Sequence, residues 1–112
     1  MSQILQKMLR AREVRIPADK YTFIARRPTP LEREEKFKDA NPARAILTLI
    51  IGWENVTEAD LIPGGDPHPI AFDAAACVEW LADRPDLFAV VVGGIVSAFE
   101  AYAKQFEERL GN

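Results

Sequence analysis

The sequence predicts a mainly α-helical protein with a short N-terminal β-hairpin, an α+β chain that forms a small single-domain helical bundle ending in a long helix. Three observations carry that expectation. Period-two alternation is confined to the stretch Val14 to Phe23, helix-start chemistry recurs at Thr29-Pro30 and at Asp83-Arg84-Pro85-Asp86, and apolar residues repeat at helical spacing from Leu87 to Phe106. With 112 residues, 48% of them apolar, the chain is the size of one domain and can bury a core of its own.

Residues 1–12 place Ile4, Leu5, Met8 and Leu9 on one helical stripe. So short a stripe is marginal as an isolated helix, and it reads as a frayed leader, a docked helix or a partner-binding arm. Over residues 13–27 the period falls to two. Val14 and Ile16 alternate with charges, Tyr21 and Phe23 flank Thr22, and Pro17-Ala18-Asp19-Lys20 supplies turn residues, which together predict a hairpin. An isolated hairpin is barely stable, so this one must pack on the helices that follow.

Residues 30–51 read as two helices. Thr29-Pro30-Leu31-Glu32 combines a Thr cap, an early Pro and a Glu placed to return the cap's hydrogen bond, so a charged helix runs from about Pro30 to Asp39. Leu31, Glu35 and Lys38 share one of its faces, Phe37 is its other apolar anchor, and most of its surface is solvated. Asn41-Pro42 restarts the chain, and Ala43 to Ile51 is apolar on nearly every side. Gly52 stands where a left-handed helix cap would, which favours a helix, while the β-branched residues of the segment also permit a buried strand. Residues 52–72 form an irregular loop rich in Gly, Pro, Asp and Glu, with Thr57 placed to cap a single turn at Glu58 to Leu61.

Two helices fill residues 73–110. Asp73 caps Ala74 to Ala82, where Ala75, Val78, Trp80 and Leu81 are the candidates for burial. Asp83-Arg84-Pro85-Asp86 supplies an acidic cap and an early Pro to the last helix, whose stripe is Leu87, Val91, Ile95, Ala98, Tyr102 and Phe106, widened by Phe88, Val92 and Phe99. If continuous from Pro85 to Leu110, it is about 39 Å long. Gly93-Gly94 inside it costs about 2 kcal/mol relative to alanine, which implies that another backbone approaches there. The rival reading of Val90 to Val96 is a hairpin turning at the two glycines.

The chemistry-bearing residues do not assemble into a catalytic or metal motif. His68 is the single histidine, in Gly65-Asp66-Pro67-His68-Pro69, and reads as a solvated loop residue. Gly64-Gly65 lacks the Lys-Ser/Thr of a phosphate loop, and Glu54, Glu58, Asp60 and Asp66 lack the ligand order of a calcium loop. Cys77 is the lone cysteine and reads as core. The expectation is a protein that acts by contact rather than catalysis, with no cofactor and no metal. Its single cysteine points to a reducing, cytoplasmic compartment. Its longest nearly apolar run, Leu87 to Phe99, is shorter than the roughly 18 residues of a membrane span, so no membrane is expected.

Charge is unevenly divided. Residues 1–38 hold ten Lys/Arg against five Asp/Glu, and residues 39–112 hold four against twelve. The basic half is interleaved with carboxylates, so complementarity between the halves or steering of a protein partner is expected rather than nucleic acid. Arg26-Arg27 with Tyr21 and Phe23 upstream is the one patch that suits a small nucleic-acid-binding regulatory protein of a prophage, the alternative function. The competing assignment is a solvent-facing strand end. Arginine stacking on Trp53 is also open.

Three stretches in order resemble the tail assembly chaperones of long-tailed bacteriophages and prophages. They are Phe23-Ile24-Ala25-Arg26-Arg27-Pro28-Thr29, then Leu49-Ile50-Ile51-Gly52-Trp53-Glu54-Asn55-Val56, then Pro69-Ile70-Ala71-Phe72-Asp73 followed by a helix, an Asp-x-Pro-Asp restart and a closing helix. The resemblance spans about Tyr21 to Tyr102. It implies a non-enzymatic protein of the bacterial cytoplasm, absent from the mature virion, that binds the tape measure protein and helps recruit tail tube subunits. It also implies a longer form made by ribosomal frameshifting. The partner-binding candidates are Arg26, Arg27, Trp53, Val92, Gly93, Gly94, Phe99, Tyr102 and Phe106. The same apolar face suits a homo-oligomer.

Overall fold

The fold was obtained as a computed structural model, which describes residues 2–111. A helix α1 (Gln3–Ala11) leads into strands β1 (Glu13–Ala18) and β2 (Tyr21–Arg26). Helices α2 (Pro30–Phe37) and α3 (Pro42–Leu47) follow, then strand β3 (Ile50–Glu54), the short α4 (Glu58–Leu61), α5 (Ala74–Ala82) and α6 (Pro85–Leu110). The protein is α+β and mainly helical, with an N-terminal hairpin and a long closing helix.

The hairpin forms for the reason its alternation indicates. Ile16 faces Phe23 across it and Ala18 faces Tyr21, while Asp19 turns the chain at a left-handed φ of 55°. Ile16, Ala18, Tyr21, Phe23 and Ala25 are buried on one side of the sheet. On the other side Arg15 pairs with Glu54 across the width of the sheet, and that face is exposed along β1 and half-buried along β2.

β3 corrects the sequence expectation. The helix expected over Ala43 to Ile51 stops at Leu47, and Ile50–Glu54 pairs antiparallel with β2 to give the sheet order β1-β2-β3. The terminating turn is made by Thr48 and Leu49, whose N–H groups donate to Ala45 and Ile46 carbonyls, and Thr48 Oγ1 donates to the Ala45 carbonyl at 2.6 Å. The Arg26 N–H then donates to the Leu49 carbonyl at 2.9 Å. A two-stranded hairpin leaves the free edge of β2 unpaired, and β-branched Ile50-Ile51 satisfies it while setting Trp53 opposite Phe23. Gly52 therefore serves as a strand residue over Ile24, not as a helix cap. The loop expected over residues 52–72 correspondingly loses its first three residues to β3, and the single turn expected within it at Glu58 to Leu61 forms as α4.

The capping signals hold at Thr29, Thr57 and Asp73, where both threonines complete reciprocal capping boxes with Glu32 and Asp60. At the start of α6 the expected acidic cap is absent. Arg84 occupies the cap position and its guanidinium instead grips the Asp86 carboxylate at 2.8 and 3.0 Å. The helix is continuous through Gly93-Gly94, so no hairpin turns there.

The core lies between the sheet and α3, α5 and α6. Phe23, Leu47, Leu81, Leu87, Val91 and Ile95 are fully buried, and Tyr21, Trp53 and Trp80 form an edge-to-face aromatic cluster with Phe72 against Trp53. Tyr21 Oη donates to Asp60 at 2.7 Å, and burial together with that carboxylate pushes the phenol up to about 12. Against the burial that would raise it, hydrogen bonds from Tyr21, from Thr57 and from Lys20 hold the Asp60 carboxyl down at about 2. Burial pushes the Cys77 thiol up to about 12, which keeps it protonated and unreactive inside the core.

Candidate functional site

Exposed large apolar side chains lie on α1 (Ile4, Leu5, Met8), on α2 (Leu31, Phe37), at Ile62 and on α6 (Val90, Phe106, Leu110). Only Leu87, Val91 and Ile95 of this helix are buried, all within its first three turns. The same stripe continues as Phe99, Tyr102, Phe106 and Leu110, but the rest of the protein ends before it does. Phe106 is 47% exposed and Leu110 71% exposed. Principal extents of 56 × 33 × 24 Å reflect this overhang. Measured as a window rather than an unbroken run, α6 is long and apolar enough to cross a membrane, with a mean hydropathy of 1.6 over 18 residues. Its N-terminal half is engaged by the sheet and α5.

Beside the middle of α6 lies a small open groove of about 60 Å³, lined by Pro28, Phe37, Ile46, Leu49, Val96 and Phe99 together with Arg33, Lys36 and Glu100. α2 positions Arg33 and Phe37 four residues apart on one face, so the guanidinium stacks on Phe37 at 4.6 Å and reaches Phe99 on α6 at 5.0 Å. Among the described residues no carboxylate lies within ion-pair distance of Arg33. Lys36 donates to Thr48 Oγ1 at 2.8 Å. The groove thus joins apolar side chains to a cation held by aromatic rings.

The arginine pair at the end of β2 is largely committed to the fold. Arg27 lies over the Tyr102 ring at 3.7 Å and its N–H donates to the Arg12 carbonyl at 2.7 Å, which ties the hairpin to α6. Burial, and after it the charge of Arg12, lowers the Arg27 pKa from its ordinary value. The Nε atoms of Arg12 and Arg26 are buried without a hydrogen-bond partner, beside Glu32 and Lys36. Glu32 is held below the usual carboxylate range, chiefly by the Thr29 N–H it accepts from.

No family model matches the chain, and neither a curated protein nor a solved structure does.

The structure divides the sequence-named candidates. Phe99 lines the groove, and Tyr102 stacks with Phe106 at 6.2 Å on the overhang. Val92 is partly buried and packs on the core. Trp53 is buried, its indole N–H donating to the Ile70 carbonyl at 3.0 Å and its rings packed by Phe72 and Trp80, and no arginine among the described residues stacks on it. The two glycines also part company. A Cβ on Gly94 would fall 2.9 Å from three side-chain atoms of Ile16, so this glycine seats α6 on β1, whereas a Cβ on Gly93 would meet nothing. The sequence predicts another backbone at the glycines; what lies against Gly94 is instead the Ile16 side chain of this chain's own strand, and Gly93 has no such neighbour.

Arg33, Phe37, Leu49 and Val96 were not among the sequence candidates. The available signal was the Arg-x-x-x-Phe spacing on α2, which looks like ordinary solvated surface until α6 brings Phe99 beside it. The loop carboxylates are spent locally: Glu54 pairs with Arg15, Asp60 caps α4, Glu58 accepts from the Asp66 N–H at 3.1 Å, and Asp66 accepts from the His68 N–H at 2.8 Å.

Proposed function

We propose that this protein is a non-enzymatic tail assembly chaperone of a bacteriophage or prophage, which binds the tape measure protein in the host cytoplasm and helps recruit tail tube subunits without entering the virion. The observation that carries the contact reading is the groove between α2, α3 and α6, continued by the aromatic stripe Phe99, Tyr102 and Phe106. A chaperone for a long helical chain needs an apolar channel that accepts a helix face, bordered by charge that prevents self-association into aggregates. Arg33, Lys36 and Glu100 supply such a border. The identity of the partner comes from the resemblance of the three stretches around Arg26-Arg27-Pro28, Gly52-Trp53 and Phe72-Asp73.

Co-expression with the tape measure protein encoded in the same tail gene cluster is the test. The expected result is a soluble complex that co-purifies, and that is lost with Val96→Asp and Phe99→Asp while the variants remain folded. A tape measure protein left insoluble and unbound would overturn the reading. Nucleic-acid binding that falls steeply with salt and disappears with Arg26→Ala would replace it with the regulatory alternative.

A further inference from the structure

We infer that the pocket between Arg12, Arg26 and Lys36 is a binding site for a single dianionic oxyanion of the phosphate class, held where α1, the hairpin and α2 meet. The inference goes beyond the tail-assembly reading and does not depend on it.

Three elements build the site. Arg12 follows the last residue of α1, Arg26 ends β2 and Lys36 comes from α2; with Glu32, Thr48, Leu49 and Ile51 they line an open pocket of about 150 Å³. That is well below the roughly 300 Å³ at which pockets begin to take drug-sized molecules, and it suits one small ion. Arg12 and Arg26 are both half-buried, and the Nε of each is buried without a hydrogen-bond partner. A charged group that loses part of its water and leaves a donor unpaired costs stability until another acceptor offsets the loss. Among the described residues neither arginine forms an ion pair, although Glu13 stands opposite Arg26 in the hairpin register. Two under-solvated guanidinium groups therefore converge on one pocket, and the outer N–H groups of each fork remain to bind an anion.

The other charges set the valence of the ligand. Lys36 is a third cation, its ammonium donating to Thr48 Oγ1 at 2.8 Å. Glu32 is the one carboxylate among the lining residues, and it already accepts the Thr29 N–H of the capping box at 3.0 Å. Three cations against one carboxylate leave two positive charges, which match hydrogen phosphate or sulfate better than a monovalent carboxylate or phosphodiester. Planar guanidinium forks pair with the oxygens of such ions through parallel N–H bonds. Leu49 and Ile51 add apolar wall, which lowers the local dielectric and strengthens that pairing.

The test is an NMR titration of the full chain with sodium phosphate, ionic strength held constant with sodium chloride, reading the Nε–H resonances of Arg12 and Arg26. The expected result is a saturable, one-site shift at both, reproduced by sulfate and weaker with acetate. Phosphate should also raise the melting temperature where chloride at equal ionic strength does not. Arg12→Gln and Arg26→Gln each weaken binding about tenfold or more, with circular dichroism retained. Arg15→Gln, on the same hairpin but held by Glu54, leaves binding unchanged. Glu32→Gln tightens it, because the amide oxygen still accepts from Thr29 while the pocket loses its negative charge. A role confined to holding the fold would not produce that gain, so the Glu32 variant and the ion series decide the matter if an arginine variant unfolds. The proposal is overturned by the lack of a saturable shift, by a shift that chloride reproduces, or by acetate binding as tightly as phosphate. Affinity unmoved by the Arg12, Arg26 and Glu32 substitutions overturns it as well. Because only inorganic ions and acetate are added, this outcome is independent of the test with the tape measure protein.

Discussion

The two ends of α6 behave as different materials. From Leu87 to Ile95 the helix lies on the sheet with Leu87, Val91 and Ile95 buried and Gly94 letting it settle onto Ile16; from Phe106 to Leu110 the same apolar period meets solvent. α1 shares the character of the second end, with Ile4, Leu5 and Met8 all exposed. Amphipathic periodicity therefore does not by itself say what it is for. In one half it binds the chain to itself, and in the other it stays in solvent.

That contrast can be broken most severely in the packed half. Trp80→Ala should remove about 3–5 kcal/mol by opening a cavity between Tyr21, Phe23 and Trp53, read as a large fall in the denaturation midpoint. Phe106→Ala on the overhang should leave stability within about 0.5 kcal/mol in the same measurement. The adjacent glycines sharpen the same comparison inside one helical turn. Gly93→Ala should stabilise by about 1 kcal/mol through helix propensity alone, since a methyl there meets open space. Gly94→Ala should instead destabilise by about 1 kcal/mol, because the methyl must displace Ile16 or lift the helix from the strand.

A smaller effect is expected from Tyr21→Phe, about 1 kcal/mol from loss of the hydrogen bond to Asp60. It should also reshape the pH dependence. The folded Tyr21 phenol titrates at about 12 against an ordinary 10.0, so stability present below pH 10 is lost as pH rises between those values. The substitution should flatten that alkaline decline. The Asp60 carboxyl works at the other extreme. Its folded value of about 2 lies below the ordinary 3.8, so its contribution is present above the higher value and lost as pH falls towards the lower. Urea titrations at stepped pH would resolve both wings.

Much of this was legible locally. The capping boxes at Thr29 and Thr57, the Asp73 cap and the turn at Asp19 are interactions among residues within a few positions of one another, and those residues suffice to specify them. The groove was not legible, because its walls come from α2, α3 and α6 and no local period joins Phe37 to Phe99. The start of α6 was misjudged because Arg84 and Asp86 satisfy each other, and a guanidinium and carboxylate two residues apart compete with the backbone cap.

The sequence by itself determined where helices begin, where the hairpin turns, and which residues of each element are apolar, since these follow from backbone propensity and spacing. Tertiary structure alone decided that Ile50–Glu54 is a strand, because the segment's own preferences are balanced and the unpaired edge of β2 tips them. It also decided that Trp53 belongs to the core while Phe99 and Phe106 do not, and that Gly94 has a neighbour while Gly93 has none. Each of those outcomes depends on which surfaces lie opposite one another, and no stretch of chain carries that information alone.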